Sequence, residues 1–204
     1  MARTPKIVED RREQIIDAAM RVFAQKGFAK ATNKDIAREA GITAGLIYHY
    51  FKSKEDLLGV VIEEHSPLQL LTSLPAQAFA LPPEQFFRFL LIRVLNIVEE
   101  EKFVSLLRVV LSEALHGSNE YVIQVAPMVL QRALGFIESY IDAQIAAGAI
   151  RQVNSALAAQ VLVGSMIGFV LRRQVLRDAI ALQYTHEEIV EAIVETTLKG
   201  LSPR

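Results

Sequence analysis

The sequence contains no cysteine and no tryptophan. Without cysteine the chain cannot form disulfide bonds, cysteine-ligated metal sites or thiol-based redox switches, which fits a reducing cytoplasm. The first 14 residues are dominated by charge and lack the apolar segment of a secretory signal. We therefore expect a cytoplasmic protein.

Catalytic and metal-binding motifs are also missing. The four histidines stand apart, at His49, His65, His116 and His186, and the chain has no His-Glu-x-x-His motif, nucleophile elbow or glycine-rich phosphate loop. We expect no catalytic residues, no metal and no cofactor. An all-helical enzyme stays open only if distant helices assemble catalytic groups in a pocket.

Charge is distributed unevenly along the chain. Residues 1–60 hold 11 Lys and Arg against 8 Asp and Glu, a balance of +3, whereas residues 61–204 hold 11 against 15, a balance of −4, and the two sum to the net charge of −1. A basic first part and an acidic second part are typical of a DNA-binding domain joined to another domain, although chance also produces such a difference. Four basic residues near the start form either a phosphate-binding arm or a solvated tail: Arg3, Lys6, Arg11 and Arg12.

Residues 32–51 have the pattern of two short helices joined by a glycine turn. Thr32 is placed to cap the first helix, with Asp35 completing a capping box, and Gly41 ends it. Thr43 is placed to cap the second helix, whose two faces differ in composition. One face carries Ile47 and Phe51, and the other carries Ala44, Gly45, Tyr48 and His49. The pattern predicts a helix-turn-helix with one packing face and one reading face.

A longer set of residues at fixed spacing surrounds this motif. It comprises Phe23-Ala24, Gly27-Phe28, Ala31-Thr32, Asp35-Ile36-Ala37, Ala40-Gly41-Ile42-Thr43, Gly45, Tyr48-His49-Tyr50-Phe51, Lys52-Ser53-Lys54-Glu55 and Leu57. This set resembles the N-terminal signature of the tetracycline-repressor (TetR) family of transcriptional regulators. The resemblance implies a DNA-binding domain over residues 1–53, a connecting helix over 54–65, and an effector-binding and dimerisation domain over 66–204. The later residues match the family only in being helical and apolar.

The motif and the resemblance together predict the DNA contacts. Small residues at the start of the second helix let its backbone approach the duplex, and Tyr48 and His49 can reach base edges or phosphates. A core position, the alternative for aromatic residues, fits Tyr50 and Phe51 better. Lys54 resembles the family's phosphate-gripping lysine. The predicted DNA-binding residues are Thr32, Asn33, Lys34, Thr43, Ala44, Gly45, Tyr48, His49, Tyr50 and Lys54.

Helical periodicity predicts an all-α protein of about nine helices, with a three-helix domain first and a larger helical domain after it. Residues 66–83 contain four prolines, so we expect an irregular segment there. Pro127 predicts a kink or a new start within a long helix. The predicted helices cover residues 8–26, 32–40, 43–51, 54–65, 84–99, 101–116, 119–147, 155–177 and the segment after Thr185.

We expect an apolar effector pocket with few polar anchors, which suits a lipophilic, aromatic or acyl compound. The predicted helix over residues 101–116 has a polar side, which faces either solvent or this pocket. The candidate pocket residues are His65, Arg93, Asn96, Ser105, Arg108, His116, Tyr121 and Met128.

Residues 155–177 carry no charge before Arg172, which raises the question of a membrane span. Polar residues and glycines interrupt the run, so its strictly apolar part is shorter than the about 20 residues that a bilayer needs. We instead expect a helix buried partly by a second subunit, and the resemblance implies a four-helix bundle made of the last two helices of each subunit. The candidate dimer contacts are Gly164, Ser165, Gly168, Ile189 and Ile193.

These observations predict a TetR-like homodimeric regulator that binds double-stranded operator DNA, most simply a repressor released by a small-molecule effector. The alternatives are a constitutive DNA-binding regulator without an effector and, with less support, an all-helical enzyme.

Overall fold

The computed structural model describes residues 4–116 and 120–201, with side chains at all of these positions except 4–10, 72, 76, 116 and 120–123. No strand occurs in these ranges, which confirms the all-α prediction. The helices are α1 (Thr4–Lys26), α2 (Asn33–Glu39), α3 (Ala44–Tyr50), α4 (Lys54–His65), α5 (Leu68–Thr72), α6 (Pro83–Val98), α7 (Glu101–His116), α8 (Glu120–Ala146), α9 (Ser155–Val170) and α10 (His186–Leu201).

The chain divides into two units, and unit 1 is formed by the described residues among 1–66 and 101–128. Its central helix is α1, which packs against α2, α4 and α7. The predicted periodicity is present, because five apolar residues at helical spacing are buried: Ile15, Ala18, Ala19, Val22 and Phe23. The predicted domain boundary at 65/66 lies next to the division after Ser66. However, α7 groups with the N-terminal helices, which the sequence did not indicate.

Unit 2 is formed by the described residues among 67–100 and 129–204. Helix α6 packs against α9 and α10, and much of its surface is buried. Its buried residues are Phe86, Phe87, Leu90, Leu91, Leu95 and Val98. The Tyr140 ring of α8 stacks on Phe86, with 3.7 Å between ring centroids, and its hydroxyl donates to the Leu81 carbonyl at 2.8 Å. Burial of that hydroxyl raises the pKa of Tyr140 to about 12.

Three segments differ from the predicted helices. The proline-rich segment forms the short α5 and a 3₁₀ turn, Ala76–Ala80, so the described ranges hold ten α-helices where about nine were predicted. Helix α8 runs through Pro127, so no new helix begins there. Helix α9 ends at Val170, and a π-helical turn, Leu171–Val175, follows it. In this turn the Arg173 guanidinium donates to the carbonyls of Ala181 and Tyr184, in the segment before α10.

Candidate DNA-binding site

Helix α2 begins with the predicted capping box. The Thr32 hydroxyl accepts a hydrogen bond from the Asp35 amide at 3.2 Å, and the Asp35 carboxylate accepts one from the Thr32 amide at 3.2 Å. The same carboxylate forms an ion pair of 2.7 Å with Lys26 at the end of α1. Gly41 has the positive φ of 64° that the turn after α2 requires. The start and end of the first helix are therefore as predicted.

The capping box makes the stability of α2 sensitive to acid. Hydrogen bonds from Lys26, and then from Thr32, lower the pKa of Asp35 from 3.8 to about 2. Because the folded pKa lies below the unfolded one, the carboxylate stabilises the fold above pH 4, and this contribution disappears as the pH falls towards 2.

Asp35→Asn should therefore flatten the acid end of the stability profile. We expect the Tm of the wild type to fall more steeply than that of the variant between pH 4 and pH 2, because only in the wild type does unfolding take up a proton at this carboxylate. Thermal melts across pH 2–6 measure the difference. Other carboxylates titrate in both proteins, so parallel curves would show that Asp35 contributes nothing of this kind.

Helix α3 has two different faces, as the pattern predicts. Ile47 is 1% exposed and Phe51, the residue after the helix, is 3% exposed, whereas Tyr48 is 62% exposed. Gly45 and His49 are also exposed. Tyr50 lies between these groups, half-buried, with its ring edge-on to His49 at 5.3 Å between centroids. The apolar face packs in unit 1, and the other face presents Gly45, Tyr48 and His49 to solvent.

Among the described residues Thr43 makes no side-chain cap bond, although it occupies the N-cap position of α3. The prediction that its hydroxyl caps the helix is therefore wrong, and the hydroxyl of this exposed residue is available to a ligand. Ala44, the first residue of α3, is half-buried and small. Both remain predicted DNA contacts.

The predicted DNA contacts at the start of α2 differ in exposure and in whether their polar groups are already hydrogen-bonded. Lys34 is exposed. The Thr32 hydroxyl is occupied, because it donates to Asp35 Oδ2 at 2.8 Å. Asn33 is half-buried, and its Oδ1 has no hydrogen-bond partner in the part of the chain that the structure describes. Of the three, Lys34 has the side chain best placed to reach a phosphate.

Lys54 has a structural role that the sequence did not reveal. Its ammonium donates to the carbonyls of Phe28 and Ala31 at 2.8 and 2.9 Å and lies 4.3 Å from the centroid of the Phe28 ring. An ammonium has three N–H donors, so one remains for the phosphate contact that the resemblance implies. Lys54 thus fastens the start of α4 to the segment between α1 and α2.

Lys54→Ala should lower both stability and DNA affinity. Loss of the two carbonyl contacts should cost about 2 kcal/mol, or a fall in Tm of roughly 4–8 °C. Loss of a phosphate contact should weaken binding to all DNA sequences by a similar factor and lower the salt slope by about one. Melts and salt-dependent binding separate the two effects, and an unchanged slope would remove Lys54 from the DNA contacts.

The candidate effector residues are not gathered within either unit. In unit 1 His65 lies 3.9 Å from Asp17 Oδ1, Ser105 is half-buried, and Arg108 and Met128 are exposed. In unit 2 Arg93 is exposed and stacks on Phe89, and Asn96 pairs with His186 at 3.0 Å. The side chains of His116 and Tyr121 lie outside the described residues. The effector site stays a prediction.

Helices α9 and α10 form an open groove of about 660 Å³. Its lining includes Leu157, Val161 and Ser165 of α9 and Ile193 of α10. Leu157 and Val161 are 64% and 61% exposed, although both are large and apolar. Gly164 and Gly168 are exposed beside them. Ile189 is 1% exposed, so its assignment to the dimer contact is wrong: it belongs to the core of its own subunit.

Helix α9 together with its π turn, Ser155–Val175, is long and apolar enough to cross a membrane. Core helices of soluble proteins can have the same length and composition. Only 22% of its most apolar stretch of 18 residues is buried. A second subunit is the alternative cover for such a surface.

Two protein-family models match the chain. The family described as "Bacterial regulatory proteins, tetR family" matches residues 15–61, and "AefR-like transcriptional repressor, C-terminal domain" matches residues 87–200, more than half of the chain. The chain belongs to the TetR family. TetR-family regulators bind operator DNA and small-molecule effectors. The fold and the DNA-binding regulator predicted from the sequence are thus confirmed.

Three similar proteins match most of the chain. The transcriptional regulator HbdR of Aromatoleum sp. (strain CIB) is 29% identical over 96% of this chain and 85% of HbdR. The SmeT–triclosan complex superposes with a TM-score of 0.78 at 22% identity, over 95% of this chain and 92% of SmeT. Bacillus subtilis FadR in complex with stearoyl-CoA gives 0.73 at 24% identity, over 92% and 98%.

Proposed function

We propose that this TetR-family protein is a cytoplasmic homodimeric repressor that a small, largely apolar effector releases from its operator. It needs no cofactor and catalyses no reaction. The observation that carries the proposal is the two-sided α3, which is anchored by Ile47 and Phe51 and exposes Gly45, Tyr48 and His49. A helix with a fixed inner face and polar side chains on its exposed outer face can enter the major groove in one orientation.

Repression and its relief follow from a population shift. An effector that binds better to a conformation with wrongly spaced reading helices lowers operator affinity by its differential affinity for that conformation. The complexes of SmeT with triclosan and of FadR with stearoyl-CoA support a small-molecule effector. Unit 2 supports an apolar one, because aromatic side chains cluster in it, from the 40% exposed Phe79 to the core: Phe79, Phe86, Phe87, Phe136 and Tyr140.

Selection from a random DNA pool tests the DNA-binding part and yields the operator sequence in the same experiment. We expect a near-palindromic site bound at least about 1,000-fold more tightly than scrambled DNA. Failure to enrich any site would contradict an operator-reading function.

The effector part needs a second experiment on the selected site. Native mass spectrometry identifies a small molecule retained on purification, and triclosan and stearoyl-CoA serve as probes in a binding titration. Release of the operator by a retained compound or a probe supports the proposal. A protein that carries no compound and holds its operator against both probes would favour a constitutive regulator.

A further inference from the structure

The basic segment at the start of α1 contacts the helix-turn-helix. The Arg12 guanidinium forms an ion pair with Glu64, in the last turn of α4, and lies 5.8 Å from the centroid of the Phe51 ring. Two residues later, the Gln14 amide donates to the Ala40 carbonyl at 2.6 Å. Phe51 is the C-cap of α3 and Ala40 is the C-cap of α2. One short stretch of α1 therefore touches the ends of both helices of the motif.

The surroundings of Arg12 favour a side chain that links two parts of unit 1 over a free cation that binds phosphate. Its side chain is 42% exposed and that of Glu64 is 27% exposed, so the pair is partly shielded from water. Phe51 is 3% exposed and closely packed, which prevents its ring from moving independently of the core. A guanidinium is planar and rigid enough to pair with a carboxylate along its edge while its face covers a ring.

We propose that Arg12 is a positioning residue for operator recognition, which links the last turn of α4 to the C-terminal end of α3 through Phe51. This rests on the proposed role of α3 as the reading helix. Of the two alternatives for the basic residues at the start of the chain, a phosphate-binding arm and a solvated tail, Arg12 follows neither. Its charge is already engaged by Glu64, and the side chain acts on DNA binding through Phe51.

The sharpest test is Glu64→Gln. Removal of a carboxylate ordinarily raises the affinity of a protein for all DNA, because it removes repulsion from the phosphates. If Glu64 holds Arg12 in place, the variant should instead bind the operator about tenfold more weakly while its affinity for scrambled DNA stays the same or rises. Arg12→Gln should give the same operator-selective loss with an unchanged salt slope. The double variant should be no weaker than either single variant, since both break one connection.

Arg132→Gln is the matched control, because it removes the same charge from an exposed side chain on α8. It should leave the ratio of operator to scrambled affinity unchanged, and thermal melts ensure that every variant is folded at the assay temperature. A salt slope lowered by about one in Arg12→Gln, with equal losses on both DNAs, would make Arg12 a phosphate contact and overturn the proposal. So would higher operator affinity in Glu64→Gln. A wild type that does not distinguish the two DNAs would instead refute the proposed reading function.

Discussion

Val161→Glu should convert the protein from a dimer into a monomer and abolish operator binding. Val161 is 61% exposed in the single chain and lies in the α9–α10 groove beside Leu157. If a second subunit covers this groove, the glutamate would be buried without a partner, at a cost of several kcal/mol. A monomer holds one reading helix and contacts one half-site. Sedimentation velocity at micromolar concentration and operator titration measure both losses.

Leu115→Glu is the matched control for this change. Leu115 is 83% exposed on α7 in unit 1, so a glutamate introduced there should leave the protein dimeric. A Val161→Glu variant that sediments as a dimer, or a wild type that is monomeric at micromolar concentration, would contradict the dimer assignment.

Gly168→Leu should change stability in opposite directions, depending on whether the protein is a monomer or a dimer. Within the described chain, a Cβ at Gly168 meets no atom within 4 Å. In a monomer, leucine should therefore raise stability by up to about 1 kcal/mol, because it is a better helix former than glycine. Against a partner helix it should overfill the contact and cost about 1–3 kcal/mol of dimer stability. We expect the second result, as a rise in the dimer dissociation constant.

The sequence predicts which residues pack wherever one face of a helix is apolar and the other is not. Phe51 and Ile47 share a face of α3, and their burial follows from helical spacing alone. In α9 this signal is weak, because apolar residues surround much of the helix, whereas α10 has a distinct apolar face. An apolar face does not reveal which subunit covers it, so Ile189 of α10 is assigned to the dimer contact although it is buried in its own subunit. In α9 the pattern does not single out Leu157 and Val161. Their spacing with Gly164 and Gly168 on α9 is the signal that identifies them.

Contacts of long polar side chains could not be predicted in the same way. Lys54 reaches Phe28 and Ala31, and Arg12 reaches Glu64, across 23 to 52 residues of sequence. No local pattern specifies such partners, since they depend on how helices pack. The grouping of α7 with α1 and α4 escapes prediction for the same reason. The Lys54 and Arg12 contacts matter for the site, because they tie α4 and α1 to residues next to α2 and α3.

The operator itself should reflect the position of α3. The reading helix inserts its exposed face into the major groove, so a dimer should protect a near-palindromic site. Its half-sites should lie at least about one helical turn apart, roughly 34–36 Å. Footprinting of the selected site checks this spacing, and protection of one half-site alone would contradict binding by a symmetric dimer.

His49→Ala should reduce the discrimination between the operator and a half-site mutant by about 1–3 kcal/mol, the value of a good base contact. Its Tm should stay that of the wild type, because His49 is exposed and adds little to the core. Tyr48→Phe should differ, since it removes one hydroxyl from a side chain that is 62% exposed: if that hydroxyl binds a phosphate, affinity for operator and scrambled DNA should fall together. Competition binding of both variants on the two DNAs, with thermal melts alongside, separates the roles. If His49→Ala melts several degrees lower and still discriminates as the wild type does, His49 stabilises α3 through its edge contact with Tyr50 and reads no base.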